Sequence, residues 1–155
     1  MRVVKRLPRS AAPVAWLLGA AAIHAGVPFA LSRVGRRRRP HPAGLLAVAA
    51  GAGVMAWALA AHYWSAPQGW SLELTLQPEY LLRRGPYARS RNPMYVGEAA
   101  VWLGWAVFYR SAAVGAGLAL FCATAAAVVR TEERRLEQRF GDGYRAYLAE
   151  VPRWL

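Results

Sequence analysis

The stretch "AGLLAVAAGAGVMAWALAAHYW", residues 43–64, holds no Lys, Arg, Asp or Glu in 22 positions. A half-buried strand would alternate polar and apolar residues, and a surface helix would show a polar stripe every three to four; this stretch does neither. At about 1.5 Å per residue, a helix of this length crosses the roughly 30 Å hydrocarbon core of a bilayer. Its Gly and Ala content suits close helix contacts in lipid, where packing rather than water exclusion drives association.

Three further blocks flank it: residues 13–31 (PVAWLLGAAAIHAGVPFAL), 94–109 and 112–129. The third of the four blocks is short and ends in Phe108-Tyr109-Arg110, an aromatic and basic edge of the kind found at headgroups. The first block follows Met1-Arg2-Val3-Val4-Lys5-Arg6 and lacks a small-x-small cleavage site, so it reads as a retained span rather than a signal peptide. The expected architecture is all-α: a polytopic membrane helix bundle of about four transmembrane helices, with a C-terminal amphipathic cytoplasmic helix, in one membrane domain over residues 1–155.

A net charge of +12 would suggest nucleic acid in a soluble protein. Here the basic residues lie between and beside the hydrophobic blocks, so membrane lipid is the expected partner and nucleic acid is not. An inside N-terminus puts fourteen of the twenty Lys and Arg on the cytoplasmic side, as the positive-inside rule prefers. The tract Ser32 to Pro42 (SRVGRRRRPHP) runs against this orientation unless the first block only dips into the membrane. The Ala- and Arg-rich composition fits a bacterial inner membrane. Cys122 stands alone, which excludes an intramolecular disulfide. His24, His41 and His62 have no carboxylate or cysteine at ligand spacing, so no metal is expected. For His24 and His62 the expected role is a hydrogen bond within or between helices.

Polar chemistry gathers in two segments that the four-span topology puts on one side. In "LLRRGPYARSRNPMYVGE", residues 81–98, Gly85-Pro86 marks a turn, and Asn92-Pro93 reads as an N-cap followed by proline at the first helical position. The start of that helix offers unpaired N–H groups and a partial positive charge to an anionic ligand. Tyr95 and Glu98 share a face with Trp102 one turn on. Glu98 lies about one turn inside the membrane boundary and needs a partner. The second segment, residues 129–155 (VRTEERRLEQRFGDGYRAYLAEVPRWL), leaves the last span as a helix with an apolar stripe through Leu136, Phe140, Tyr144 and Tyr147 or Leu148. Gly141 and Gly143 are expected to divide it and Pro152 to end it. Glu132 and Glu133 fall just past the bilayer exit.

Together, "GPYARSRNPMYVGE" and "RTEERRLEQRFGDGYRAYLAEVPRWL" resemble the isoprenylcysteine carboxyl methyltransferase and phospholipid methyltransferase superfamily, over residues 81–155. The family patterns are Gly-x-Tyr-x-x-x-Arg-His-Pro-x-Tyr-x-Gly, then Glu-Glu followed by Phe-Gly-x-x-Tyr-x-x-Tyr and Val-Pro. Asn92 stands where the family usually has histidine, and asparagine does not titrate. The resemblance implies S-adenosylmethionine as methyl donor, bound by the methyltransferase-like half, 81–155, and facing the cytoplasm. It points to Tyr87, Arg91, Asn92, Pro93, Tyr95, Gly97, Glu132 and Glu133 as cofactor-binding positions. It also implies direct transfer to a lipophilic methyl acceptor, with Arg130 orienting an anionic acceptor and Glu98 as a substrate-side base or cofactor contact. Two alternatives stay open: an NADPH-dependent membrane reductase of the sterol-reductase kind, whose Arg-x-Pro-x-Tyr and terminal Val-Pro patterns are similar, and a non-enzymatic lipid-binding membrane protein.

Overall fold

The computed structural model describes residues 12–35, 38–65 and 80–155. The basic N-terminal segment, Arg36, Arg37 and the residues between Ser65 and Tyr80 lie outside them, as do the side chains of the first turns of the first helix. Among the described residues the fold is all-α, with no strand. Five helices follow in order: α1 (Ala12–Ser32), α2 (Ala43–Ser65), α3 (Pro93–Tyr109), α4 (Ala112–Phe140) and α5 (Asp142–Glu150), with a 3₁₀ turn at Gly85–Ala88 before α3.

Two of the expected four spans, α2 and α4, are long and apolar enough to cross a membrane. The described side chains of α1 form an apolar stretch only over Ala22–Ser32, and α3 has 17 residues. Only 17 % of the most apolar part of α2 and of α4 is buried within the fold. Leu46, Trp64 and Leu120 face outward and are more than two-thirds exposed. A soluble core helix would hide such surface; an apolar helix left uncovered is at home in lipid.

Glycines join α2 to α3. A Cβ on Gly51 would stand 2.5 Å from the Gly97 carbonyl oxygen, and one on Gly97 would stand 2.8 Å from that of Gly51. Gly44 and Gly104 repeat the contact two turns away. The seven-residue spacing on each helix places the glycines on facing stripes, so the backbones touch where any side chain would separate them. Across α3, the Trp102 ring stacks on Phe121 of α4 and lies over Gly117. Glu98 finds its partner in α1: its Oε1 is 3.6 Å from Nε2 of His24.

The charged end of α4 runs about three turns past its apolar stretch and stops at Gly141, where φ is +52°. Gly143 is inside α5 rather than at a break; the chain divides only once. α5 ends at Glu150, ahead of Pro152. Tyr144, Tyr147 and Val151 form a small core against Leu81, Leu136, Phe140 and Leu148, which seats α5 and the C-terminus over one end of the bundle. The expected apolar stripe is the surface that forms this core.

Candidate functional site

Three residues ahead of α3 hold the C-terminal segment in place. The backbone N–H of Arg91 donates to the Pro152 carbonyl at 3.0 Å, and its Nη1 donates to the carbonyls of Leu148 and Val151. Its Nε donates to Oε1 of Glu133 at 3.0 Å, while Arg153 donates to the other Glu133 oxygen at 2.6 Å. Burial by itself would raise the pKa of Glu133, but the Arg153 hydrogen bond and the two guanidinium charges outweigh it and hold this carboxyl below the usual range. Glu133 is therefore an internal counter-ion for two arginines.

Asn92 occupies the N-cap position, but its side chain does not cap the helix. Its Nδ2 donates instead to the Arg153 carbonyl at 3.0 Å, and its backbone N–H is taken by the Ser90 hydroxyl. Capping signals from sequence assume a local acceptor; here a carbonyl 61 residues away competes and wins.

Between these ties and the neighbouring elements lies a cavity of about 900 Å³. Its walls are the loop 80–82, Tyr87, the start of α3, the charged end of α4, and α5, with His62 from the end of α2. Tyr87, Arg91, Asn92, Pro93, Tyr95, Glu132 and Glu133 all line it. Gly97, Glu98 and Arg130 do not. Gly97 is spent on the contact with α2, Glu98 faces α1, and Arg130 is exposed on α4.

Glu132 differs from its neighbour. It stays accessible, with the Tyr95 hydroxyl 3.4 Å from both its oxygens. Burial raises its pKa above the ordinary value and outweighs the Tyr95 hydrogen bond and the Arg135 charge, which pull the other way. Such a carboxylate gains from a cation brought to it. Helix geometry separates the pair: adjacent residues point about 100° apart, so Glu133 is held by the two arginines at the cavity wall while Glu132 has neither as partner.

Tyrosines line the rest. The Tyr147 hydroxyl donates to the Tyr87 carbonyl at 2.6 Å, and burial pushes its pKa up to about 12. Burial also raises the pKa of Tyr87 and Tyr144, so these rings are neutral phenols at ordinary pH. His62 reaches two of them, with Nδ1 3.1 Å from the Tyr80 hydroxyl and Nε2 2.9 Å from that of Tyr87. The hydrogen bond between elements expected for His62 is present, but no local signal puts it on the cavity wall. Tyr80 carries no motif signal; Tyr144 and Tyr147 are the two tyrosines of the Phe-Gly-x-x-Tyr-x-x-Tyr pattern, which periodicity alone reads as apolar packing.

The arrangement is a cofactor-sized cavity with aromatic walls, one undercompensated carboxylate and a helix start, at the charged end of an apolar bundle. No curated protein and no solved structure matches the chain. The family model for phospholipid methyltransferases matches residues 41–143, which take in α2, α3, α4 and most of the cavity wall. On that match the chain, a membrane protein, belongs to the phospholipid methyltransferase family.

Proposed function

We propose that the protein transfers a methyl group from S-adenosylmethionine to a lipid acceptor, with the donor held in the cavity between the start of α3 and the charged end of α4. The observation that supports this most is the contrast between Glu132 and Glu133: one carboxylate is neutralised inside the fold, the other waits in an aromatic cavity with a raised pKa.

The residues present fit the donor. Glu132 suits its ammonium, the first-turn N–H groups of α3 suit its carboxylate, and the rings of Tyr87 and Tyr95 suit a sulfonium. When bound, the donor supplies a methyl group already activated by positive sulfur. The protein aligns the reactants and keeps water away. Arg91 acts at one remove, by fixing the loop that carries Tyr87 to the C-terminal segment. Asn92 does the same through Arg153. Neither role requires titration, which is consistent with asparagine at this position.

The bundle crosses the bilayer about four times in this reading, with α1 and α3 completing the set, as one membrane domain whose cofactor-binding half is 81–155. The cavity faces the cytoplasm of a bacterial inner membrane, and the acceptor arrives sideways from lipid. In this reading Arg130, exposed on α4 and outside the cavity wall, orients an anionic group of the acceptor. The test is incubation of purified protein with methyl-labelled S-adenosylmethionine and total membrane lipid. Label should appear in a lipid product; its absence, with intact donor binding, would move the acceptor outside the lipid class.

A further inference from the structure

The three hydroxyl and imidazole groups at the end of α2 determine one another's protons. The Tyr80 hydroxyl lies 3.1 Å from the His62 carbonyl, which can only accept, and 3.1 Å from Nδ1 of His62; both contacts are hydrogen bonds together only when the Tyr80 proton goes to the carbonyl. In that arrangement the Tyr80 oxygen accepts from Nδ1 of His62, which carries the hydrogen. A neutral imidazole has one N–H, so Nε2 is bare. At 2.9 Å it accepts the Tyr87 proton. Both Tyr87 and His62 line the cavity.

We infer that Tyr87 and His62 form a proton relay serving the methyl acceptor, with Tyr87 touching the acceptor and His62 receiving the proton through it. The inference rests on the proposed methyl transfer. Because Tyr87 donates to His62, its oxygen is left as an acceptor toward the cavity, where it can take a hydrogen bond from an acceptor N–H or O–H. In the transfer, the acceptor's lone pair forms the new C–N or C–O bond while the C–S bond breaks, and its electron pair stays on sulfur as a neutral thioether. The acceptor's proton moves to the Tyr87 oxygen as the Tyr87 proton moves to Nε2. Tyr87 ends neutral, and the positive charge that entered on sulfur ends on the His62 imidazolium. The relay needs no tyrosinate, which the buried Tyr87 phenol would not readily form.

His62 must be neutral to accept, so the rate should fall as pH falls. Among the described residues the groups around it are these. Tyr80 and Tyr87 touch the ring; Tyr147 binds the Tyr87 carbonyl; Glu132 acts on Tyr87 from α4; Arg89 lies over the Trp57 ring, 5.6 Å from its centre, beside the same turn of the chain. A purely structural His62 would pin the loop to α2 and confer no such pH profile.

The test uses the full-length protein in detergent. Nitrogen NMR of histidine-labelled protein should show His62 with its hydrogen on Nδ1 and a hydrogen-bonded, bare Nε2 whose shift moves in Tyr87→Phe. A hydrogen on Nε2 overturns the relay, since Tyr87 could then not donate. His62→Gln should bind S-adenosylmethionine as the wild type does, yet transfer methyl about 100-fold more slowly, the usual scale for a positioned base, and lose the fall in rate at low pH. Added imidazole should restore rate to His62→Ala. Unchanged rate in His62→Gln with donor still bound overturns the relay alone, whereas no donor binding by the wild type overturns the methyl-transfer reading and the relay with it.

Discussion

Arg91 and Glu133 meet through a 3.0 Å ion pair from Nε to Oε1, with each side chain 10 % exposed, although 42 residues separate them in sequence. The pair joins the loop before α3 to the exit of α4. It makes the two motif segments a single structural unit and leaves the neighbouring Glu132 turned toward the cavity.

Removing one member of such a pair strands the other charge inside the protein, at a cost of about 3 to 5 kcal/mol. Glu133→Gln should therefore lower the thermal midpoint sharply in detergent, whereas Glu132→Gln should leave it nearly unchanged. Equal effects on stability would contradict the division of labour between the two carboxylates.

Acid should act on the two residues with opposite signs. The pKa of Glu133 is lowered in the folded protein, so its contribution is fully present above 4.5, the unfolded value, and fades as pH falls through the folded one. That of Glu132 is raised, so its contribution is present below 4.5 and lost as pH rises through the folded value. Melting curves from neutral pH downward should lose less stability in Glu133→Gln than in wild type below about 4.5. Parallel curves would mean the clamp is not charged.

Gly97 offers a separation of packing from ligand binding. A methyl there meets Met55 Cγ at 2.6 Å and the Gly51 carbonyl at 2.8 Å, so α2 and α3 must move apart. Gly97→Ala should destabilise by about 1 to 3 kcal/mol, with donor affinity of the folded fraction retained. Selective loss of affinity at unchanged stability would return Gly97 to the cofactor site.

Asn92→Ala should lose the bond to the Arg153 carbonyl, worth about 1 kcal/mol. Asn92→His, with a ring N–H able to reach the same carbonyl, should keep activity within about tenfold. The check is the transfer rate of both variants across pH. A hundredfold gain in the histidine variant, with a new transition near neutrality, would show that this position moves protons after all.

Orientation is open to cysteine labelling in a Cys122→Ala background. Arg84 and Gln138 are exposed at the cavity end and Arg110 is exposed at the other. Cysteines at 84 and 138 should resist an impermeant reagent in intact cells, and one at 110 should react. The reverse pattern would put the cavity outside.

The helices were legible because uncharged blocks and glycine-proline punctuation are local signals. α2 matched its block closely, and Pro93 began α3 as the Asn-Pro pair implied. What sequence did not reveal was set by distant partners. Nothing in Glu132-Glu133 says which carboxylate turns inward until Arg91 and Arg153 are placed beside it. Asn92 looked like a cap because the competing carbonyl belongs to Arg153. His62 looked incidental because its tyrosines come from two other parts of the chain. Gly97 falls within a motif, and the packing reason for a glycine there is visible only once Gly51 is brought against it. Glu98, which needed a partner, took His24 from a helix whose pattern signalled only hydrophobicity.

The central claim is that Glu132 holds the donor. Calorimetric titration of S-adenosylmethionine into the detergent-purified protein tests it most directly, on wild type, Glu132→Gln and Glu132→Asp. The wild type should bind, Glu132→Gln should weaken binding by about 1 to 3 kcal/mol, and Glu132→Asp should recover part of the loss. Unchanged affinity in a folded Glu132→Gln protein, or no binding by the wild type, would contradict the account.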